Sequence, residues 1–179
     1  SLLTGLSMSS EMLTYQLPAA HRSGVGQLAE MSKRAMSNMR DAVWLMNAEK
    51  DNWGNLQDRM NEFCLETLTP RDVRFTIHFS GVESADEMPA VTRKNLWLIF
   101  KEAVTNCAKH ARATEVRVDL RLTDDQLSLE IADNGQGEVV AAGTGAGLTN
   151  MRARAQVLGG ELTTYFREGF HVRYVGPFA

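Results

Sequence analysis

The sequence has few of the residues that mark several classes of protein. Its 179 residues include two cysteines, Cys64 and Cys107, which lie in unlike surroundings and form no CxxC pair. A disulfide framework or a cysteine zinc site is therefore not expected, and both thiols are predicted to be small buried groups in a reducing compartment. The net charge of −3 provides no basic surface for nucleic acid. We expect no nucleic-acid partner.

Long hydrophobic runs and targeting signals are also missing. No apolar run reaches the roughly 18 residues of a membrane-spanning helix, no secretory signal is present, and the chain opens on Ser1 rather than on a methionine. We expect the chain to be a cytoplasmic part of a longer protein, which contacts a membrane only through segments upstream of Ser1. The apolar content of 44% suffices for one core, or for a small core and an accessory helical unit.

Apolar residues at heptad spacing occupy two stretches of the first 50 residues. Those of the first stretch are Leu3, Leu6, Leu13 and Leu17. In the second stretch the same spacing connects six residues, which we call the seam: Leu28, Met31, Ala35, Asn38, Ala42 and Leu45. All of them except Asn38 are apolar. Pro18 ends the first helix because it lacks an amide hydrogen. Gly24 and Gly26 then predict a loose turn, which includes His21. The pattern predicts an antiparallel helical hairpin.

Such a hairpin has only a narrow apolar stripe to bury. A second copy would complete a four-helix bundle, so we expect a homodimer through the N-terminal helices. Asn38 is the polar residue of the seam. It either fixes the register and oligomeric state of the bundle, as a seam asparagine can, or occupies an exposed position without such a role.

The remaining chain alternates between helical and strand patterns after a polar break at residues 47–54. Helices are predicted at residues 55–68, 90–111 and 148–158, and strands at residues 74–79, 116–122, 127–132, 162–167 and 170–175. The order does not follow a strict βαβ rhythm. It favours an α+β fold, a two-layer sandwich with helices on one face of a mixed sheet. A Rossmann fold is disfavoured, because the glycine-rich segments have neither its position nor its spacing.

The helix at residues 90–111 has a polar face made of specific functional groups. Glu102, Asn106, Lys109 and His110 fall within about 100° of one another on the helical wheel, apart from the apolar stripe. The glutamate can accept a proton or orient water, the amide oxygen suits a hard cation such as Mg²⁺, and the two bases can meet phosphate oxygens. An ordinary solvated helix face would show the same spacing.

Two glycine-rich stretches follow the strand at residues 127–132. Asp133 comes directly after this strand, where its carboxylate can accept from an exocyclic amine such as that of adenine, and Gly135 and Gly137 permit close approach of the backbone. Gly145 and Gly147 lie where the next helix begins, a place where backbone amides can bind phosphate. The alternative is a plain Asp-Asn-Gly hairpin turn. About a dozen loop residues follow, however, rather than a strand.

In these blocks the chain resembles the catalytic and ATP-binding domain of sensor histidine kinases. That domain belongs to the wider family, with the Bergerat-type fold, that includes gyrase and heat-shock chaperone ATPases. The motifs are the N-box from Glu102 to His110, a first glycine box at Asp133-x-Gly135-x-Gly137 and a second at Gly145-x-Gly147-Leu148. Residues 147–154 and the Lys-His-Ala of the N-box are similar to the nitrate-sensor and lipid-fluidity-sensor kinases. The resemblance is specific over about residues 88–175.

The resemblance implies three parts and a role for each matching residue. The parts are a truncated dimerisation and phosphotransfer hairpin at residues 1–50, a connecting helix at 51–69 and a catalytic ATP-binding domain at 70–179. Glu102 would be the catalytic base or water-orienting group, and Asn106 the Mg²⁺ ligand. Lys109 and His110 would contact phosphates and Asp133 the adenine amine, while residues 134–146 would form the ATP lid. The glycines and Leu148 would line the nucleotide site.

A histidine kinase of this kind transfers the γ-phosphate of ATP to a histidine and from there to a response regulator. The acceptor in the family precedes an acidic residue early in the first hairpin helix, and no such pair occurs here. We therefore expect the acceptor a few residues before Ser1 and no autophosphorylation of this chain. The family also often has a threonine after the glycine at position 169, where this chain has Phe170. This places the adenine contact in doubt.

Two other functions fit parts of the same pattern. One is a regulatory dimer module with a vestigial nucleotide site, which the missing acceptor and Phe170 would favour. The other is a protein-serine kinase of the anti-sigma type, which shares the boxes but lacks a heptad hairpin. The leading prediction is the ATP- and Mg²⁺-dependent histidine kinase core.

Overall fold

A computed structural model of the chain divides into two compact units, residues 1–48 and 49–179. It describes residues 5, 8–9, 12, 19–47, 52–82, 88–123, 125–136 and 146–178. The first unit contains helix α1 (Ala19–Met46). Most of the predicted first helix lies outside the described residues, as does Pro18. Within the part of the chain that is described, no helix is long and apolar enough to cross a membrane.

Helix α1 begins well before the predicted start at Leu28. Gly24 and Gly26 lie inside the helix, and so does the backbone of His21. The prediction of a loose turn here is therefore wrong. A glycine inside a helix costs about 1 kcal/mol relative to alanine, and a helix of 28 residues can carry two of them.

The seam of α1 is largely uncovered in the single chain. Leu28 is 53% exposed and Met31 66% exposed. Ala35, Asn38 and Ala42 are also exposed, and only Leu45 is half-buried. An apolar stripe left open in this way is the pattern expected of a helix that packs against another copy. The homodimer stays a prediction.

The described residues of the second unit form three α-helices and five strands. The helices are α2 (Trp53–Thr67), α3 (Ala90–His110) and α4 (Ala146–Val157). The strands are β1 (Arg74–Ser80), β2 (Glu115–Leu122), β3 (Gln126–Asp133), β4 (Glu161–Phe166) and β5 (Phe170–Pro177). A short 3-10 turn, Thr69–Arg71, joins α2 to β1. The element types agree with the prediction, and most boundaries differ by one or two residues.

The five strands form one mixed sheet in the order β1-β2-β3-β5-β4. The pair β1 and β2 is parallel, and the other pairs are antiparallel. Side chains alternate between the two faces, so that Val118, Leu129 and Tyr174 are buried while Arg117, Ser128 and Arg173 lie on the opposite face. All three helices pack with strands of this sheet. The predicted α+β two-layer sandwich is confirmed.

Helices α2 and α3 share an aromatic core. Asn52 caps α2, its side-chain oxygen accepting from the amide of Asn55 at 2.8 Å. The ring of Phe63 meets those of Trp97 and Phe100 at centroid distances of 5.6 and 6.0 Å, edge to face. The second unit thus includes α2 as well as the sheet. The division into a connecting helix and a catalytic domain stays a prediction.

Candidate functional site

Helix α3 presents its four predicted functional groups on one side, away from the core. The apolar residues Leu96, Phe100 and Ala103 are buried on the other side. Glu102 and Asn106 are half-buried, whereas Lys109 and His110 are exposed in the last turn. The exposure of the four groups therefore increases towards the end of the helix, from the partly enclosed carboxylate and amide to the two bases in solvent.

The carboxylate of Asp133 is buried at the end of β3 and accepts three hydrogen bonds. Its exposed fraction is 6%. Oδ1 accepts from the backbone amides of Gly135 at 2.8 Å and Phe170 at 3.3 Å. Oδ2 accepts from the thiol of Cys107, with 3.3 Å between sulfur and oxygen. These donors come from α3, from the loop after β3 and from β5, so the carboxylate is held where three elements meet.

Burial keeps Cys107 in its thiol form. The pKa of Cys107 lies well above its ordinary value, first because the side chain is desolvated and then because the Asp133 carboxylate is close. A protonated thiol is a donor, and an ionised carboxylate is an acceptor only. The direction of the bond, from sulfur to Asp133, follows from these two states.

Cys107 and the backbone amide of Phe170 are partners of Asp133 that the sequence does not predict. A cysteine on the apolar stripe of a helix carries no local sign of a polar contact 26 residues away. The contact in doubt at position 170 is that of a threonine side chain, which this chain lacks. The backbone amide of Phe170 bonds to Asp133 whatever side chain stands there.

Asn134 fastens the start of the loop after β3. Its side-chain oxygen accepts from the amides of Thr114 and Glu115, both at 2.9 Å, and its amide donates to the hydroxyl of Thr114 at 3.0 Å. Strand β3 pairs with β2 and β5, and α4 and β4 come before β5. Asn134 and Gly135 therefore do not close a hairpin, and the alternative of a plain hairpin turn is wrong.

Two glycines allow close approaches around the site. A Cβ on Gly135 would overlap the backbone carbonyl of Ala111, just past the end of α3. A Cβ on Gly147 would overlap the carboxylate of Glu102. Helix α4 begins at Ala146, two residues before the predicted start, so Gly147 belongs to its first turn. Leu148 is half-buried beside it. Gly137 and Gly145 lie outside the described residues.

The turn between β4 and β5, which precedes Phe170, is fixed by a polar cluster. One ring nitrogen of His171 is 2.9 Å from the Glu130 carboxylate, and the other is 3.0 Å from the carbonyl of Arg167. The hydroxyl of Tyr165 donates to the same glutamate at 2.7 Å. Burial alone would raise the pKa of Glu130, but the bonds from Tyr165 and His171 lower it overall. This cluster steadies the strand end that bonds to Asp133.

A family of known proteins matches the part of the chain that contains these residues. Residues 92–175 match the family described as histidine kinase-, DNA gyrase B-, and HSP90-like ATPase. The chain is similar to the sensor histidine kinase LnrJ of Bacillus subtilis, with 29% identity over 138 residues that cover 76% of this chain and 33% of that protein. It is also similar to the nitrate/nitrite sensor protein NarX of Escherichia coli, with 29% identity over 168 residues.

The match to NarX covers 84% of this chain and 27% of NarX, so the chain spans a third or less of these two relatives. Solved structures share the fold. The histidine kinase domain of a blue-light activated kinase from Erythrobacter litoralis matches with a TM-score of 0.60 and 17% identity, over 98% of this chain and 93% of that domain. Full-length ShkA in complex with AMPPNP matches with a TM-score of 0.62 and 17% identity, over 98% of this chain and 46% of ShkA.

Proposed function

Because residues 92–175 belong to the histidine kinase-, DNA gyrase B- and HSP90-like ATPase family, we propose that the chain is the ATP-binding catalytic core of a sensor histidine kinase. The observation that carries the proposal is the buried carboxylate of Asp133, held by three donors, one of which is the Cys107 thiol of α3. A carboxylate is an acceptor only, so it selects a ligand edge that donates. The exocyclic amine of adenine is such a donor.

The residues around Asp133 fit a nucleotide. Gly135 packs closely against the backbone carbonyl of Ala111, and the amides of Gly147 and Leu148, in the first turn of α4, have no acceptor within their own helix and can donate to phosphate. Lys109 and His110 are exposed in the last turn of α3, at the end of the polar face farther from Glu102, and can reach phosphate oxygens. The proposed nucleotide would therefore lie along α3, with adenine at Asp133 and phosphates towards the helix face.

The proposed site would hold Mg²⁺ with few protein ligands, and the phosphates of ATP would supply others. Among the described residues, no three His, Cys, Asp or Glu side chains cluster in a way that could hold a metal ion. Mg²⁺ usually keeps several waters and takes one or two protein ligands together with substrate phosphates. The amide oxygen of Asn106, half-buried on α3, suits that limited role.

Glu102 is the proposed catalytic residue. ATP would supply the phosphoryl group, and Glu102 would accept the proton from the imidazole of the acceptor histidine or orient a water. Its carboxylate lies against the first turn of α4, where Gly147 leaves room for it. The Glu102 carboxylate therefore lies between α3, which carries the proposed metal ligand Asn106, and the first turn of α4, which would bind phosphate.

The acceptor histidine is proposed to lie outside this chain. The sequence has four histidines, and none of His21, His78, His110 and His171 precedes an acidic residue. The phosphoryl group would pass from the acceptor to the receiver domain of a response regulator. A homodimer through α1 is proposed on the exposed seam. The backbone amide of Phe170 bonds to Asp133, which supports an adenine subsite that is formed in this chain.

The chain is expected to bind ATP without phosphorylating itself. Isothermal titration calorimetry should detect ATP binding that Mg²⁺ strengthens, with GTP bound at least about tenfold more weakly because a guanine carbonyl would face the Asp133 carboxylate. Incubation with γ-labelled ATP should leave no acid-labile label on the protein. Absence of ATP binding at millimolar nucleotide would contradict the proposed core, and a phosphohistidine in this chain would contradict the position of the acceptor.

Gly147→Ala is expected to lower turnover more than binding. The new Cβ would displace the Glu102 carboxylate, which is the flexible end of a side chain, so the fold should tolerate the change. General base catalysis contributes on the order of 100-fold or more, and displacement of the base should cost at least about tenfold in the rate of phosphate release from ATP. The Kd for ATP should change by less than about threefold.

Glu102→Gln is the matched variant for this experiment. It should reproduce the loss of rate, because both changes remove the base, and the double variant should be no slower than the slower single variant. If Gly147→Ala retained full turnover, Glu102 would not act from the position observed here.

A further inference from the structure

We propose, on the basis of the nucleotide site proposed above, that Cys107 is a positioning residue of the adenine subsite. Its thiol donates a hydrogen bond to Oδ2 of Asp133 and fixes the carboxylate in the orientation that accepts the adenine amine. The contact joins a buried helix residue to a strand end 26 positions later in the sequence. Cys107 itself does not touch the nucleotide.

The two oxygens of Asp133 have different partners. Oδ1 accepts from two backbone amides, those of Gly135 and Phe170. Oδ2 accepts from the Cys107 thiol alone in the part of the chain that is described. A carboxylate oxygen can accept about two hydrogen bonds. Oδ1 is therefore saturated, and Oδ2 has one position left for a donor of the ligand.

A thiol suits this shared oxygen because it is a weak donor. It holds the second oxygen of a carboxylate whose first oxygen is already held by two amides, yet it withdraws little of the charge that the adenine amine needs. The backbone of α3 fixes the thiol, since Cys107 lies in the last turn but one of that helix and is 8% exposed. The residue before it is Asn106, the proposed Mg²⁺ ligand. One rigid segment thus sets both the metal ligand and the adenine carboxylate.

Cys64 provides an internal comparison. It is also a buried thiol, on α2, with a pKa that burial raises to about 12. No hydrogen bond of its side chain is found among the described residues. Because the sequence has two cysteines, a chain with Cys64→Ala has one thiol, and every signal from a thiol in that chain belongs to Cys107.

The first experiment measures the S–H stretching band of Cys107 by infrared spectroscopy in the Cys64→Ala chain without nucleotide. A thiol that donates to a carboxylate absorbs at lower frequency than a free thiol. Asp133→Asn should move the band to higher frequency, because the asparagine NH₂ replaces Oδ2 and offers the thiol no acceptor. A band that does not move would overturn the proposal, whether or not the chain binds ATP.

The second experiment measures ligand binding by Cys107→Ala. Loss of one hydrogen bond to the carboxylate should raise the Kd for ATP about fivefold. Cys64→Ala, which also removes a buried thiol but breaks no side-chain hydrogen bond among the described residues, should change it less than about twofold. For purine riboside triphosphate, which lacks the amine, Cys107→Ala and the parent should bind within about twofold of each other, because that ligand does not use the oriented oxygen.

These results separate the positioning role from a structural one and from the function itself. An equal loss for ATP and for the amine-free analogue would make Cys107 a packing residue only and overturn the proposal. Failure of the parent chain to bind either nucleotide would contradict the proposed function instead, and the infrared result would still decide whether Cys107 orients Asp133.

Discussion

Asp133→Asn is expected to raise the Kd for ATP by at least about 100-fold, a loss of nearly 3 kcal/mol. The asparagine can keep an oxygen at the Oδ1 position, where the amides of Gly135 and Phe170 donate to it. The amide nitrogen then replaces Oδ2 and directs its hydrogens at the Cys107 thiol and at the adenine amine. Two donors would face each other in a buried site. Calorimetric titration with ATP measures the loss.

The fold should survive this change, which makes the result interpretable. Far-ultraviolet circular dichroism should match that of the parent, and the melting temperature should fall by only a few degrees, because the asparagine leaves the buried Cys107 thiol without its acceptor. Asp119→Asn is the matched control, because Asp119 lies on the opposite face of the sheet in an ion pair with Arg117 at 3.0 Å. It should bind ATP as the parent does. If Asp133→Asn bound ATP as tightly as the parent does, Asp133 would not be the residue that binds the adenine amine.

Trp97→Ala is expected to lower the free energy of unfolding of the second unit by about 4 kcal/mol. Trp97 is completely buried on α3. Its ring contacts those of Phe63 and Phe100 and lies under the guanidinium of Arg59, 5.2 Å from the ring centroid. Removal leaves a large cavity between α2 and α3, and a loss of this size should lower the melting temperature by about 15 °C. Urea unfolding followed by circular dichroism measures it.

Val91→Ala is the control for this substitution. Val91 lies on the same helix but is 55% exposed, so its truncation should change the free energy of unfolding by less than about 0.5 kcal/mol. If Trp97→Ala cost as little as Val91→Ala, α2 would not share a core with α3. The connecting helix would then be a separate element, as the three-part division of the sequence assumes.

The parts of the fold that follow from local periodicity could be predicted. Helix α3 was placed to within a residue because its apolar stripe repeats at the helical period. The same period put Glu102 and Asn106 on one face. The strands were found because alternation with period two is equally local. Gly24 and Gly26 nevertheless predict a start of α1 that is too late, because the cost of two glycines is small for a helix of 28 residues.

The contacts of the site that depend on strand order could not be predicted. Asp133 meets the Phe170 amide only because β3 and β5 are neighbours in the sheet, although α4 and β4 lie between them in the sequence. The thiol of Cys107 reaches the same carboxylate through the packing of α3 on β3. Neither fact has a signature within a window of ten or twenty residues, so composition and spacing identified the motif without its supporting bonds.

Both ends of the segment at residues 137–145 are attached to one helix. Before it, Gly135 is packed against Ala111, and after it, Gly147 is packed against Glu102. Those two contacts are separated by about 14 Å along the helix axis at 1.5 Å per residue, whereas the chain from Gly135 to Gly147 can span about 40 Å. The connection has about three times the length that it needs. Lengthening it should therefore cost only a few tenths of a kcal/mol in closure entropy, and the two anchors should stay in place.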